Sequence, residues 1–257
     1  MRRVITRSLA VALVSVVLAL LAAFAWGAAA GVEVSERFTP DRLGASANLA
    51  LTSHFASPPG GAPAPVRKFT VYAPAGMLID ARGAGVCSQA VLEAHGPEAC
   101  PADSRAGFGG GIGVLQLPGE TVHEGYTLDF FFSSTNPGHL SLLVYASARS
   151  PVNVELIVIA HEVRAPAPYG LGFSVEVPPI STIPGAPLAS IESAFASLGA
   201  ANVAYYKRVH GRLRLVHVRG LVVPRRCPAG GFPSRATIDF RDGQSLTLYP
   251  KVPCPAR

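Results

Sequence analysis

The chain has 257 residues, 49% of them hydrophobic and 15% charged, so it can bury a core, and the part after the first thirty suits one large β domain or two small ones. The formal charge is +6, but Arg2, Arg3 and Arg7 account for three of the 22 Lys and Arg, leaving 19 against 16 acidic residues, or +3. The body is only mildly basic, and net charge gives no argument for a polyanion as its partner.

Arg2, Arg3 and Arg7 precede an uncharged apolar run from Leu9 to Trp26, and Ala28-Ala29-Ala30 supplies small residues at a cleavage site. Basic, apolar and small residues in that order make residues 1–30 a secretory signal peptide. The run is also long enough to serve as an uncleaved membrane anchor over residues 8–30. In both readings the basic flank stays inside and residues 31–257 are extracytoplasmic.

Apolar side chains at Ala47, Leu49, Leu51 and Phe55 predict a half-buried strand, and Ser57 to Pro65 is a proline-rich and glycine-rich break. A strand follows over Arg67 to Tyr72, then a turn into a short extended piece ending at Asp80. Cys87 and Cys100 flank Ser88 to Ala94, one or two helical turns with Ser88 near the N-cap and Gly96-Pro97 as the stop. Gly107 to Gly113 is too rich in glycine for ordinary packing. It lacks the Gly-Lys-Ser/Thr ending and the helix of a phosphate loop, so it reads as a strand closely approached by another backbone or by large side chains.

Strands are expected at Thr121 to Phe132, His139 to Ala148, Val152 to Val163 and Leu171 to Val177, separated by turn signals. Pro178 to Pro187 is a second proline-rich crossing, and a domain boundary near 178–190 is an option there. Ser190 to Leu198 suits either a helix or a strand, and its context favours a strand. Arg212 to Arg219 is extended. Ala236 to Phe240 and Leu246 to Tyr249 then alternate around Asp242-Gly243, which predicts a hairpin with a two-residue type I′ turn. Cys227 and Cys254 stand outside its two strands. Four cysteines in two local clusters favour disulfides Cys87 to Cys100 and Cys227 to Cys254, and without a Cys-x-x-Cys a zinc site is poorly supported.

No nucleophile elbow, His-Glu-x-x-His or calcium loop occurs, and no catalytic residue, cofactor or metal follows from the sequence. His123-Glu124 and His161-Glu162 are neighbours on expected strands and point to opposite faces. His210 and His217 bracket a strand and do not form a ligand set. Two carboxylates from distant strands could still converge for glycoside hydrolysis. From Ser193 to Ile238 the chain has no Asp or Glu but carries Lys207, Arg208, Arg212, Arg214, Arg219, Arg225, Arg226 and Arg235. This block is a candidate patch for an anionic cell-envelope polymer or a membrane surface, with Arg212 and Arg214 on one strand face and Arg219 on the other. Export disfavours nucleic acid.

The segment Cys100-Pro101-Ala102-Asp103-Ser104-Arg105-Ala106-Gly107, together with the ending Cys227-Pro228, Gly230-Gly231-Phe232-Pro233, Asp242-Gly243 and Pro253-Cys254-Pro255, resembles exported, largely uncharacterised actinobacterial proteins. Ala106 stands where a larger aliphatic residue is expected. The resemblance implies an extracytoplasmic β-rich fold with local disulfides and carries no activity. The expected architecture is all-β, a mostly antiparallel β-sandwich of two apposed or fused sheets with one short disulfide-tied helix, preceded by the N-terminal signal or transmembrane helix. The expected function is a non-enzymatic cell-envelope or secreted binding or structural module. A secreted hydrolase of wall or extracellular polymers and a membrane-anchored sensor domain are the alternatives.

Overall fold

Side chains that alternate every second residue put one apolar stripe on one face of a strand, and that pattern organises the chain from Val32 to Val252. The computed structural model describes residues 31–199, 204–217 and 219–255; the expected leader, residues 1–30, lies outside them. In chain order come β1 (Val32–Thr39), β2 (Ser46–Phe55), β3 (Val66–Pro74), β4 (Leu78–Asp80), α1 (Gln89–His95), β5 (Arg105–Leu117) and β6 (Glu120–Ser134). They are followed by β7 (Ser141–Ala148), β8 (Val154–Val163), β9 (Tyr169–Glu176), β10 (Ser190–Leu198), β11 (Ala204–Val209) and β12 (Arg212–His217). The chain closes with β13 (Gly220–Val222), β14 (Phe232–Pro233), β15 (Arg235–Phe240), β16 (Ser245–Leu248) and β17 (Lys251–Val252).

The protein is mostly antiparallel β, and among the described residues 13 strands belong to one hydrogen-bonded sheet, with β11–β12 and β14–β17 as two further two-stranded sheets. The large sheet runs β16, β15, β3, β9, β8, β7, β6, β5, β10, β2, β13 and β4, with β1 on the free side of β2. β5 to β9 form a meander of hairpins, whereas the pairing of β10 with β5 and of β15 with β3 joins segments far apart in sequence. The sheet curls so that strands near its two ends share one core with β14 and β17. Phe38 of β1 and Leu49 of β2 pack in one cluster with Ala73 of β3, Leu171 of β9, Phe232 of β14 and Val252 of β17. Phe38 and Phe232 meet edge to face at 5.8 Å, and the Ser234 hydroxyl donates to Glu36 Oε2 at 2.6 Å across the same seam.

On the convex side, Phe131, Leu143 and Tyr145 point away from the curl and bury Cys87, Leu92 and Cys100. β6 and β7 are therefore covered on both faces here, which accounts for the unbroken apolar runs Phe130-Phe131-Phe132 and Leu142-Leu143-Val144-Tyr145. α1 is too short to persist alone. Ser88 caps it by accepting from Val91 N at 3.3 Å, Gly96 ends it at φ +75°, the Cys87–Cys100 disulfide closes the loop around it, and the Cys87 amide ties that loop to Phe132 O of β6 at 2.8 Å. The second disulfide joins Cys227 to Cys254 beside the β14–β17 pair and clasps the open end of the last hairpin.

Two hairpins differ from the sequence expectation. Between β15 and β16 the Phe240 amide bonds Gln244 O and only Gly243, at φ +89°, is left-handed, so the loop is three residues long, Arg241 to Gly243, and is not a two-residue type I′ turn. The adjacent left-handed pair is instead His210 (φ +49°) and Gly211 (φ +78°), which join β11 to β12 with Val209 opposite Arg212. β1, β11, β13, β14 and β17 are strands absent from the sequence expectation. The crossing at 178–189 connects β9 to β10 within one sheet.

Candidate functional site

Inside the curl, consecutive strands contribute every second side chain to one chamber. β6 supplies Tyr126, Leu128 and Phe130, β7 Val144 and Ala146, β8 Leu156 and Val158, and β9 Phe173 and Val175; β10, β2 and β3 complete the wall with Ala194, Leu51 and Val71. At one end the buried Phe132, Leu142, Ala160 and Ala106 cluster and close the chamber. Toward the other the lining side chains are only half-buried although they point inward, because the curl is wider than its side chains can fill. The result is a partly open cavity of about 390 Å³, within the usual range of roughly 300–1,000 Å³ for small-molecule sites. The crossing at 178–189 lies against it, with Ala189 N bonded to Ile180 O at 2.9 Å and both residues in the lining.

The glycine run explains the shape of one wall. β5 is clamped between β6 and β10, and a Cβ on Gly109 would overlap the Phe195 carbonyl; one on Gly111 would overlap both the Ser193 carbonyl and the Tyr126 hydroxyl. Bare glycine lets the Tyr126 ring lie across β5, so that its hydroxyl donates to Ser193 O on β10 at 3.0 Å. Burial holds the Tyr126 phenol well above its ordinary range. The expected close approach of backbone and large side chains is what these glycines accommodate.

His123 and Glu124 point to opposite faces, as neighbours on a strand must. His123 pairs with Glu192 outside, while Glu124 enters the chamber at 3% exposure, opposite Gly113. Its Oε1 has no hydrogen-bond partner. Among the described residues Glu124 is the one carboxylate in the lining, which contains no Lys, Arg or His. A facing pair of carboxylates is therefore not assembled there. His161 lies on the exposed face of β8, and no group of three His, Cys, Asp or Glu able to hold a metal occurs among the described residues.

The basic block separates into several environments. Lys207, Arg212 and Arg214 share one face of the β11–β12 hairpin, and Arg208 lies on the other with Tyr206, Leu213 and Leu215, all three of them exposed. None of these four cations has a carboxylate within 4.0 Å among the described residues. Tyr205 anchors the hairpin, burying its ring and donating its hydroxyl to Gly83 O at 2.7 Å. Arg219 instead faces Asp80 at 3.8 Å, where Arg82 already makes a two-pronged contact at 2.7 Å. The Arg82 hydrogen bonds, with lesser help from the Arg219 charge, hold the Asp80 carboxyl below its usual range. Arg225 and Arg226 are exposed in the loop after β13, and Arg235 stacks over Tyr72 at 4.3 Å.

Sequence reasoning identified the hairpin cations but not the chamber. Its signal was the repeated alternation from β6 to β9, which marks an inward face without saying that the inside is hollow. Comparison of the chain with protein families, curated proteins and solved structures finds no match.

Proposed function

We propose that this protein is a non-enzymatic binding module of the cell envelope or the secreted fraction, and that its ligand is an apolar chain held inside the curled sheet. The observation that carries the reading is the chamber itself, an opening of about 390 Å³ whose wall is aliphatic and aromatic apart from Glu124, Tyr126 and a few serines. Opposed halves of the curl act here as the two layers of a sandwich parted by a ligand. About ten buried methylenes would supply roughly 8 kcal/mol, enough for micromolar affinity before ordering costs. The single carboxylate in the lining favours binding over glycoside hydrolysis by the usual carboxylate pair.

Two disulfides, both in place, agree with life outside the cytoplasm, and no described helix is long and apolar enough to cross a membrane. The β11–β12 hairpin, with its four cations and exposed Tyr206, Leu213 and Leu215, is suited to holding the protein against an anionic envelope surface. The test is uptake of a solvatochromic alkyl probe by the purified protein and by Ala146→Trp, which fills the chamber from β7. Saturable, blue-shifted uptake that falls at least about tenfold in the variant is expected; a wild-type protein that takes up no alkyl probe refutes the reading.

A further inference from the structure

Resting on that reading of the chamber, we infer that Glu124 is the recognition group for the ligand's polar end, and that the ligand is a long-chain amphiphile whose head carries a hydroxyl or amine donor. A carboxyl oxygen shielded from water needs a hydrogen bond, and buried polar groups without one are rare. Glu124 Oε1 is such an atom, in a side chain 3% exposed. No bond from the protein reaches it: among the described residues no Lys, Arg or His lines the chamber, the Tyr126 hydroxyl is committed to Ser193 O, and none of the lining serines bonds to the carboxyl.

The wall beside the carboxyl is bare backbone. Gly113 stands opposite Glu124 across the β5–β6 pair, and a Cβ built there would sit in ordinary contact with the Ser190 and Glu124 carbonyl oxygens at 3.6 and 3.7 Å, so the glycine leaves a gap of about one methyl group beside the carboxyl. In this reading the polar end of the ligand lies at the carboxyl and its chain runs toward Leu128 and Val158 in the same lining. A chain ending in an ester brings no donor, and one ending in a carboxylate brings none at neutral pH and adds a second acid. Hydroxyl and amine heads both satisfy the atom.

Binding of dodecanol, dodecylamine, methyl dodecanoate and dodecanoate, measured by displacement of the alkyl probe, separates these cases. The wild-type protein is expected to prefer the alcohol and the amine over the ester by about tenfold or more, the worth of one hydrogen bond to a buried acceptor. Glu124→Leu is expected to hold the ester as well as wild type does and to lose the preference. Glu124→Gln, which keeps an acceptor oxygen, is expected to retain a preference for the alcohol. Equal binding of alcohol and ester by the wild type, or a preference that survives in Glu124→Leu, overturns the role of Glu124 and leaves the chamber reading standing. Failure of every chain to bind overturns both.

Discussion

An unpartnered carboxyl inside an apolar chamber is maintained at the expense of stability, so replacing Glu124 with leucine should stabilise the ligand-free protein. The wild-type side chain leaves Oε1 without a hydrogen bond at 3% exposure. An unsatisfied buried polar group costs about 1–3 kcal/mol, and more when charged. Leucine removes that term and adds apolar surface facing Leu115 and Tyr126, both in the same lining, although a hollow chamber returns less than full burial would. A net gain of about 1–2 kcal/mol raises the melting temperature by roughly 2–8 °C for a domain of this size. Thermal unfolding followed by circular dichroism, on protein stripped of bound lipid, measures the shift. A lower melting temperature in Glu124→Leu would mean that the carboxyl has a structural partner, and the argument from its isolation would fail.

Glu36 titrates differently from a surface acid. Burial at the β1 seam raises its pKa, and the hydrogen bond from Ser234 opposes this only in part. The folded state then binds the proton more tightly than the unfolded one, so this contribution is fully present below the ordinary carboxylate range and is lost as pH rises through the folded pKa. Glu36→Gln should remove that slope from a plot of urea midpoint against pH; an unchanged slope contradicts the assignment. Gly111→Ala places a methyl group on the Ser193 carbonyl and the Tyr126 hydroxyl and should lower stability by about 1–3 kcal/mol in urea unfolding, whereas a neutral effect would show that β5 and β10 can move apart. Replacing Cys227 and Cys254 by serine opens a link spanning 27 residues and should cost about 3.5 kcal/mol in the chain-entropy model, read from the same assay. The double variant Arg212→Ala, Arg214→Ala should bind vesicles containing anionic lipid severalfold more weakly than wild type at low salt, with a shallower salt dependence; equal binding removes the hairpin from membrane contact.

What depends on neighbours in the chain was legible in the sequence. Alternating apolar residues located most strands, Ser88 and Gly96 bounded the short helix, and two close cysteine pairs predicted their own bonds, because each signal acts over a turn or a strand. Even local signals can mislead. Asp242-Gly243 suggested a two-residue turn, yet the Phe240 to Gln244 bond makes Asp242 the middle of a three-residue loop, while His210-Gly211 supplied the left-handed pair unnoticed.

The amino-acid order by itself determined a pleated, disulfide-bonded body with two faces to every strand. Only the tertiary structure decided which face became the inside and whether that inside was filled. Period two gives Glu124 and His123 opposite directions but does not say which of them meets water. That choice belongs to long-range pairing, β10 against β5 and β15 against β3, which curls the sheet and brings remote side chains into one wall. The hollow arises because the radius of the curl is set by strand order and by the glycines of β5, while the length of each side chain is set separately, residue by residue.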